Sequence, residues 1–212
     1  MDVQLKVTKR LEIQGKPVMR NPGDWVNVGK QTAMRWIGAG EAWIPDRQMV
    51  RLIEDDSGIV FLGDTNTAMS TAAAYGSKVA TCISDVPTLK FGRTLLWNPS
   101  LSFQGEMLPV GFGLLDRWQI AVPLCDYSML ACHVGTEEDR ARTEQVVHDL
   151  RIPLYETRLQ FVRRSPDMEQ FIEQWQEQMA DGGDPRQAFL RALYIHKPLI
   201  LALPTKWWEG RE

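Results

Sequence analysis

Cysteine and histidine are scarce in this chain of 212 residues, three of each. Cys82, Cys125 and Cys132 form no CxxC pair and keep no ligand-like spacing with His133, His148 and His196. That argues against a structural zinc site and for free, buried thiols of a reducing compartment. No GxSxG is present, so the strained turn that exposes a hydrolase serine is not expected. No Walker loop and no GxGxxG occurs, which removes the two common glycine-rich phosphate cradles. No apolar run approaches the ~20 residues of a membrane span. Low-complexity tracts and internal repeats are also missing. The opening MDVQLKVTKRLEIQGK mixes charge with single apolar residues and lacks the apolar core of a secretory signal, so a cytoplasmic location and no membrane partner are expected. The formal net charge of −3 gives no global basic field to collect nucleic acid, while leaving room for a local basic face.

What is present is ordinary for a globular protein, with 44% hydrophobic and 24% charged residues. The length suits one main domain with a small appendage. The appendage is expected over residues 1–50. Val3, Leu5 and Val7 alternate, followed by Leu11 and Ile13, which predicts short strands. Asn21-Pro22-Gly23-Asp24 signals a turn, and Trp25, Val26 and Val28 a further strand. A short helix is expected over 30–37, with Ala33, Trp36 and Ile37 on one face, and an edge strand at Ala42-Trp43-Ile44. This stretch resembles the small β-rich N-terminal modules of phage-encoded proteins.

After the polar joint RLIEDDSG the rhythm changes, and a second unit is expected over 57–208. GIVFLGD (58–64) is a continuous apolar run ending in Gly-Asp, as in a buried parallel strand. An alanine-rich helix is expected over 65–78, capped by Thr65 or Asn66. Strands follow at KVATCISD, TLLW and WQIAVPL. The strand–helix–strand spacing predicts an α/β fold with right-handed crossovers. Thr136 with Asp139 three residues on opens a helix like a capping box. PLYETRLQFVRR (153–164) reads as a strand. Ser165-Pro166 starts an amphipathic helix with Met168, Phe171, Ile172 and Trp175 as its apolar stripe. Asp184 caps another helix, and KPLILALP reads as a final strand before Trp207-Trp208.

Taken in order, GFGLLDRWQIAVP (111–123), IPLYETRLQFVRRSP (152–166), FIEQWQEQM, DPRQAFLRAL and LALP resemble the second half of a nucleotide-diphospho-sugar transferase domain of the GT-A type. That resemblance implies a Rossmann-like mixed sheet flanked by helices. It also implies transfer of a sugar from a nucleotide-diphosphate donor, as donor substrate, to a hydroxyl acceptor, with phage DNA or a protein as the acceptors considered. Where the family carries an Asp-x-Asp metal motif, this chain has Asn98 and Ser100. Hard cations want carboxylate oxygens, so metal-independent donor binding is expected. Glu156 and Arg158 stand where the family has its Asn-x-Gly strand.

The resemblance places donor binding on Gly63, Asp64, Thr65, Asn66, Asp85, Asn98, Ser100 and Arg158, at the carboxyl ends of the strands, where open α/β sheets bind ligands. Glu156 and Asp184 are the acids in position to act as general base on an acceptor hydroxyl. Each has a plainer reading. Gly63–Asn66 is a strand-to-helix turn, Asp85 and Asn98-Pro99-Ser100 are turns, Asp184 is a helix cap, and Glu156 pairs with Arg158 or Arg164. Arg151, Arg158, Arg163 and Arg164 either neutralise a departing diphosphate or lie on a solvated edge. A second function class stays open: a non-catalytic binding module of transferase-like fold, whose N-terminal part holds a viral or nucleic-acid partner.

Overall fold

Side chains that alternate between two apolar faces require a cover on both sides of a sheet. The computed structural model shows this arrangement. It describes residues 1–13, 15–43, 56–62, 79–81, 89–98, 100–101, 103, 107–126, 129–180 and 182–205. A six-stranded sheet is built from β6 (Ser57–Phe61), β7 (Val79–Thr81), β8 (Arg93–Trp97), β9 (Ile120–Pro123), β10 (Leu159–Arg163) and β11 (Ile200–Leu203). The spatial order is β11-β9-β10-β8-β6-β7. β6 is parallel to β7 and β8, and β9 is parallel to β11. β10 is antiparallel to both of its neighbours. The sheet is therefore mixed, and the carboxyl ends of β6 and β8 lie on the same edge as the start of β10.

One face carries Ile59, Phe61, Leu95, Trp97, Ala121, Leu159 and Phe161. The register stacks Phe61 on Trp97 and Trp97 on Leu159, so these residues form continuous rows. α2 (Leu108–Leu114) covers this face, with Leu108 and Phe112 buried. The N-terminal segment completes the cover. It holds a three-stranded antiparallel sheet of β4 (Trp25–Asn27), β1 (Asp2–Leu5) and β5 (Ala42–Trp43), the hairpin β2 (Lys9–Ile13) with β3 (Lys16–Arg20), and α1 (Lys30–Gly38). Val3, Leu5, Ala33, Trp36 and Ile37 share one hydrophobic cluster with the large sheet. The hairpin strand β3 is the element that the residue pattern does not announce, because Lys16, Pro17 and Arg20 are polar or strand-averse.

The opposite face carries Val60, Leu62, Leu96, Ile120, Val122 and Val162. α4 (Pro166–Met179) and α5 (Pro185–His196) pack on it. Met168, Phe171, Ile172 and Trp175 of α4 are buried, as their spacing predicts. Phe189 of α5 meets Phe171 and Trp175 edge-on, at 5.4 and 5.0 Å between ring centres. Burying each such side chain stabilises by about 1.5–3 kcal/mol. α3 (Glu137–Val147) lies beside α5. The caps behave as read: Thr136 accepts from the Asp139 N–H, Ser165 from Met168 and Asp184 from Arg186. One reading needs correction: β10 begins only at Leu159, because Glu156 closes a turn onto the Leu159 N–H. The inward face of α3 carries buried Asp139 and Thr143 beside Val147, which joins a small hydrophobic cluster with Val146 and Leu150.

α2 reaches the sheet over Gly111. A Cβ there would stand 2.2 Å from the Phe161 ring, which Phe112 already meets edge-on at 5.5 Å. Gly111→Ala forces helix and ring apart, at a cost of about 1–3 kcal/mol. Differential scanning calorimetry should show the midpoint lowered by about 2–4 °C for each kcal/mol. An unchanged midpoint would mean that α2 is not seated this closely.

Candidate functional site

The end of the large sheet is sewn together by backbone bonds. The Leu62 N–H donates to the Trp97 carbonyl at 2.9 Å, and the Asn98 N–H to the Arg158 carbonyl at 2.8 Å. Beyond this edge opens a cavity of about 420 Å³ lined by Leu62, Asn98, Glu156, Thr157, Arg158, Trp175, Met179, Asp184, Pro185 and Arg186. Its size suits a small organic ligand. Asn98, Glu156, Arg158 and Asp184, four residues singled out in the sequence, converge here from three separate segments. Ser100 does not line the cavity. It is exposed, and its N–H donates to Asn98 Oδ1 at 2.9 Å, so the Asn98 side chain closes its own turn. Gly63, Asp64, Thr65, Asn66 and Asp85 lie outside the described residues.

Two acid-x-arginine pairs line the cavity. Arg158 donates from Nε and Nη2 to the two carboxylate oxygens of Glu156, both at 2.8 Å, and its backbone N–H adds a third bond at 3.1 Å. The Glu156 side chain is 6% exposed and that of Arg158 47%. Arg186 treats Asp184 the same way, with Nε at 3.0 Å, Nη2 at 2.7 Å and the backbone N–H at 2.9 Å. Its Nη1 rests on the Met129 sulfur at 2.9 Å. In both pairs the carboxylate grips the Nε/Nη2 edge and fixes the plane of the guanidinium. For Arg158 the Nη1 edge has no hydrogen-bond partner among the described residues. This is the geometry of a held cation presented to a ligand.

Burial alone would raise the Asp184 pKa. The side-chain and backbone hydrogen bonds from Arg186 outweigh it, and the carboxyl titrates below its ordinary 3.8. A carboxyl whose folded pKa is depressed adds stability that is complete above the unfolded value and is lost as pH falls through the folded value. Urea unfolding between about pH 5 and about pH 2 should therefore show an acid limb that Asp184→Asn flattens. Parallel curves for the two proteins would refute the pairing. Cys125 lies behind the same groups. Burial first, then the Glu156 charge, push its thiol up to about 11, against partial relief from Arg186. It stays protonated near neutrality and is not an activated nucleophile.

A second, buried network sets where Arg186 stands. Asp139 and Arg191 are each 1% exposed and pair at 2.8 Å. Arg191 Nη1 also donates to Thr143 Oγ1 at 2.8 Å, Nε to Gln178 Oε1 at 2.8 Å and Nη2 to the Gln178 carbonyl at 3.0 Å. The other oxygen of Asp139 accepts the Asp184 N–H at 2.9 Å. Gly183 passes so close that a Cβ would fall 2.5 Å from Asp139 Oδ1. The entry to α5 is thereby tied to α3 by the Asp139 carboxylate, and α5 to α4 by the Arg191 guanidinium.

Arg186 and the Asp139–Arg191 pair are the functional residues that reading the sequence missed. The signal for Arg186 was available: Asp184-Pro-Arg186 repeats the acid-x-Arg spacing of Glu156-Thr-Arg158. The remaining candidate arginines stand apart. Arg151 pairs with Asp149, and Arg164 with Glu169 at 2.7 Å. Arg163 donates to the Leu115 carbonyl. Among the described residues no three His, Cys, Asp or Glu side chains gather as a metal-binding group. No helix among them is long and apolar enough to cross a membrane. Compared with known protein families, curated proteins and solved structures, the chain finds no match.

Proposed function

We propose that the cavity at the carboxyl ends of β6 and β8 binds a nucleotide-diphosphate sugar without a metal ion, and that the protein transfers the sugar to a hydroxyl acceptor on a GT-A-like fold. The observation that carries this reading is the convergence of Arg158 and Arg186 on one cavity from elements 28 residues apart in sequence numbering. Two guanidiniums held in fixed planes supply hydrogen-bond donors aimed at the oxygens of a diphosphate. As the glycosyl bond breaks, charge grows on those oxygens, and preorganised donors stabilise it without rearranging. Leu62, Trp175 and Met179 provide the apolar wall. The mixed sheet, and the order in which its segments follow one another, support the reading too.

Glu156 is the candidate base. Its Oε2 takes one bond, from Arg158 Nη2, and keeps a lone pair for the acceptor proton while the guanidinium stays in its plane. Asp184 is less suited, since its lowered pKa makes it a weaker base than an ordinary aspartate. One observation favours a second reading, a binding module without catalysis: both carboxylates are held at two points by arginine. Incubation with a panel of nucleotide sugars in EDTA, with DNA, protein and water offered in turn as the hydroxyl acceptor and released nucleoside diphosphate assayed, separates the two. Release that Glu156→Gln abolishes supports transfer. Ligand binding without release supports the module. Neither binding nor release contradicts both.

A further inference from the structure

The N-terminal segment has its own cavity, far in sequence from the one just described, and its charge runs against the rest of the chain. Residues 1–43 hold seven Lys and Arg against four Asp and Glu, a net of +3, while the whole chain stands at −3. The cavity, of about 610 Å³, opens between the β2–β3 hairpin and the β4–α1 segment. Arg20, Trp25, Asn27, Thr32 and Trp36 line it, together with Glu12.

Three features make this more than a gap between elements. Trp25 is 48% exposed on the outer face of β4, an unusual position for the largest apolar side chain. Its neighbour across the sheet, Trp43, lies 5.7 Å away with the rings tilted by 58°, so the pair forms an angled aromatic surface, of which Trp25 lines the cavity. Gln4 sits between them in register with both, and its side chain accepts the Trp43 indole N–H, which fixes that ring. The third feature is Arg20. Its Nε is buried and has no hydrogen-bond partner among the described residues, whereas nearby Lys9 is already paired with Glu41 and lies over Trp36. A buried N–H donor without an acceptor is costly and marks a place where an acceptor is expected from outside.

We propose that this cavity binds single-stranded nucleic acid, one base stacking on Trp25 and its phosphate accepting from Arg20. An aromatic face gives stacking that tolerates any base, and a held cation meets the backbone. Charge complementarity points to a polyanion. The concave shape, sized for one nucleotide, admits a splayed base and not a base pair. Thr32, Glu12 and the Asn27 amide oxygen supply polar atoms for the base edge, while the Asn27 amide nitrogen donates to Asp2. This goes beyond the sugar-transfer reading and does not depend on it.

The test is fluorescence anisotropy of the full chain with a labelled oligothymidylate of about 15 nucleotides at about 50 mM salt, beside a duplex of equal length. The single strand should bind more tightly than the duplex. Trp25→Ala, a change at an exposed side chain, should weaken it about tenfold while circular dichroism is unchanged. Arg20→Gln should reduce the salt dependence by about one phosphate contact. The proposal is overturned if the folded protein does not bind the single strand. It is equally overturned if duplex binds as tightly, or if both variants bind like the parent.

Discussion

Replacing Arg191 by methionine is expected to cost about 3–5 kcal/mol of folding stability. The guanidinium is almost wholly buried, and it is the charge partner of an equally buried Asp139. Methionine fills much of the same volume, so little of the loss comes from a cavity. The loss comes from a carboxylate left without its counter-charge in a low-dielectric interior, and from Thr143 and Gln178 left without their donor. Domains of this kind are stable by about 5–15 kcal/mol, so about a fifth or more disappears. Chemical denaturation reads this directly. Adding Asp139→Asn to the variant should restore part of the stability, since the unpaired charge is then gone. A loss below about 1 kcal/mol for Arg191→Met would show that the pair does not anchor α3, α4 and α5.

The second large effect falls on ligand binding. Arg186→Ala is expected to weaken a diphosphate-containing ligand about tenfold to a hundredfold, the range for one hydrogen bond to a charged group. The fold should persist, because Arg186 lines the cavity edge and the α5 cap survives: the Arg186 backbone N–H still reaches Asp184. Arg158→Ala should act similarly, with a further cost because Glu156 is then buried without its counter-charge, only the backbone N–H of residue 158 still reaching it. Asp139→Asn, distant from the ligand, should also lower affinity, since its carboxylate holds the Asp184 backbone and with it the start of α5. Thermal-shift titration across these variants measures both quantities in one series.

Much of the fold was legible because it is written in periods. Ile59, Phe61, Leu95 and Trp97 alternate with Val60 and Leu96, and the two sets divide cleanly between the two faces of the sheet. Ser165-Pro166 and Asp184-Pro185 mark helix starts by cap chemistry that is local in sequence. Four residues that line the cavity were also within reach: Asn98 ends an apolar run, Glu156 and Arg158 precede another, and Asp184 caps a helix. The Asp139–Arg191 contact was not legible. It joins residues 52 apart, and an acid on a charged helix looks solvated until tertiary packing buries it. β3 was hidden for another reason: it is an edge strand of a two-stranded hairpin, where polar residues and proline are tolerated.

The central claim is that Arg158 and Arg186 form one metal-free diphosphate site. Isothermal titration calorimetry with UDP-glucose and GDP-mannose in EDTA, against the parent protein and the Arg158→Ala, Arg186→Ala double variant, tests it most directly. The account predicts saturable binding of at least one of these donors by the parent, little changed when Mn²⁺ replaces EDTA, and none by the double variant. Binding that appears only with Mn²⁺, or that survives loss of both arginines, would contradict it.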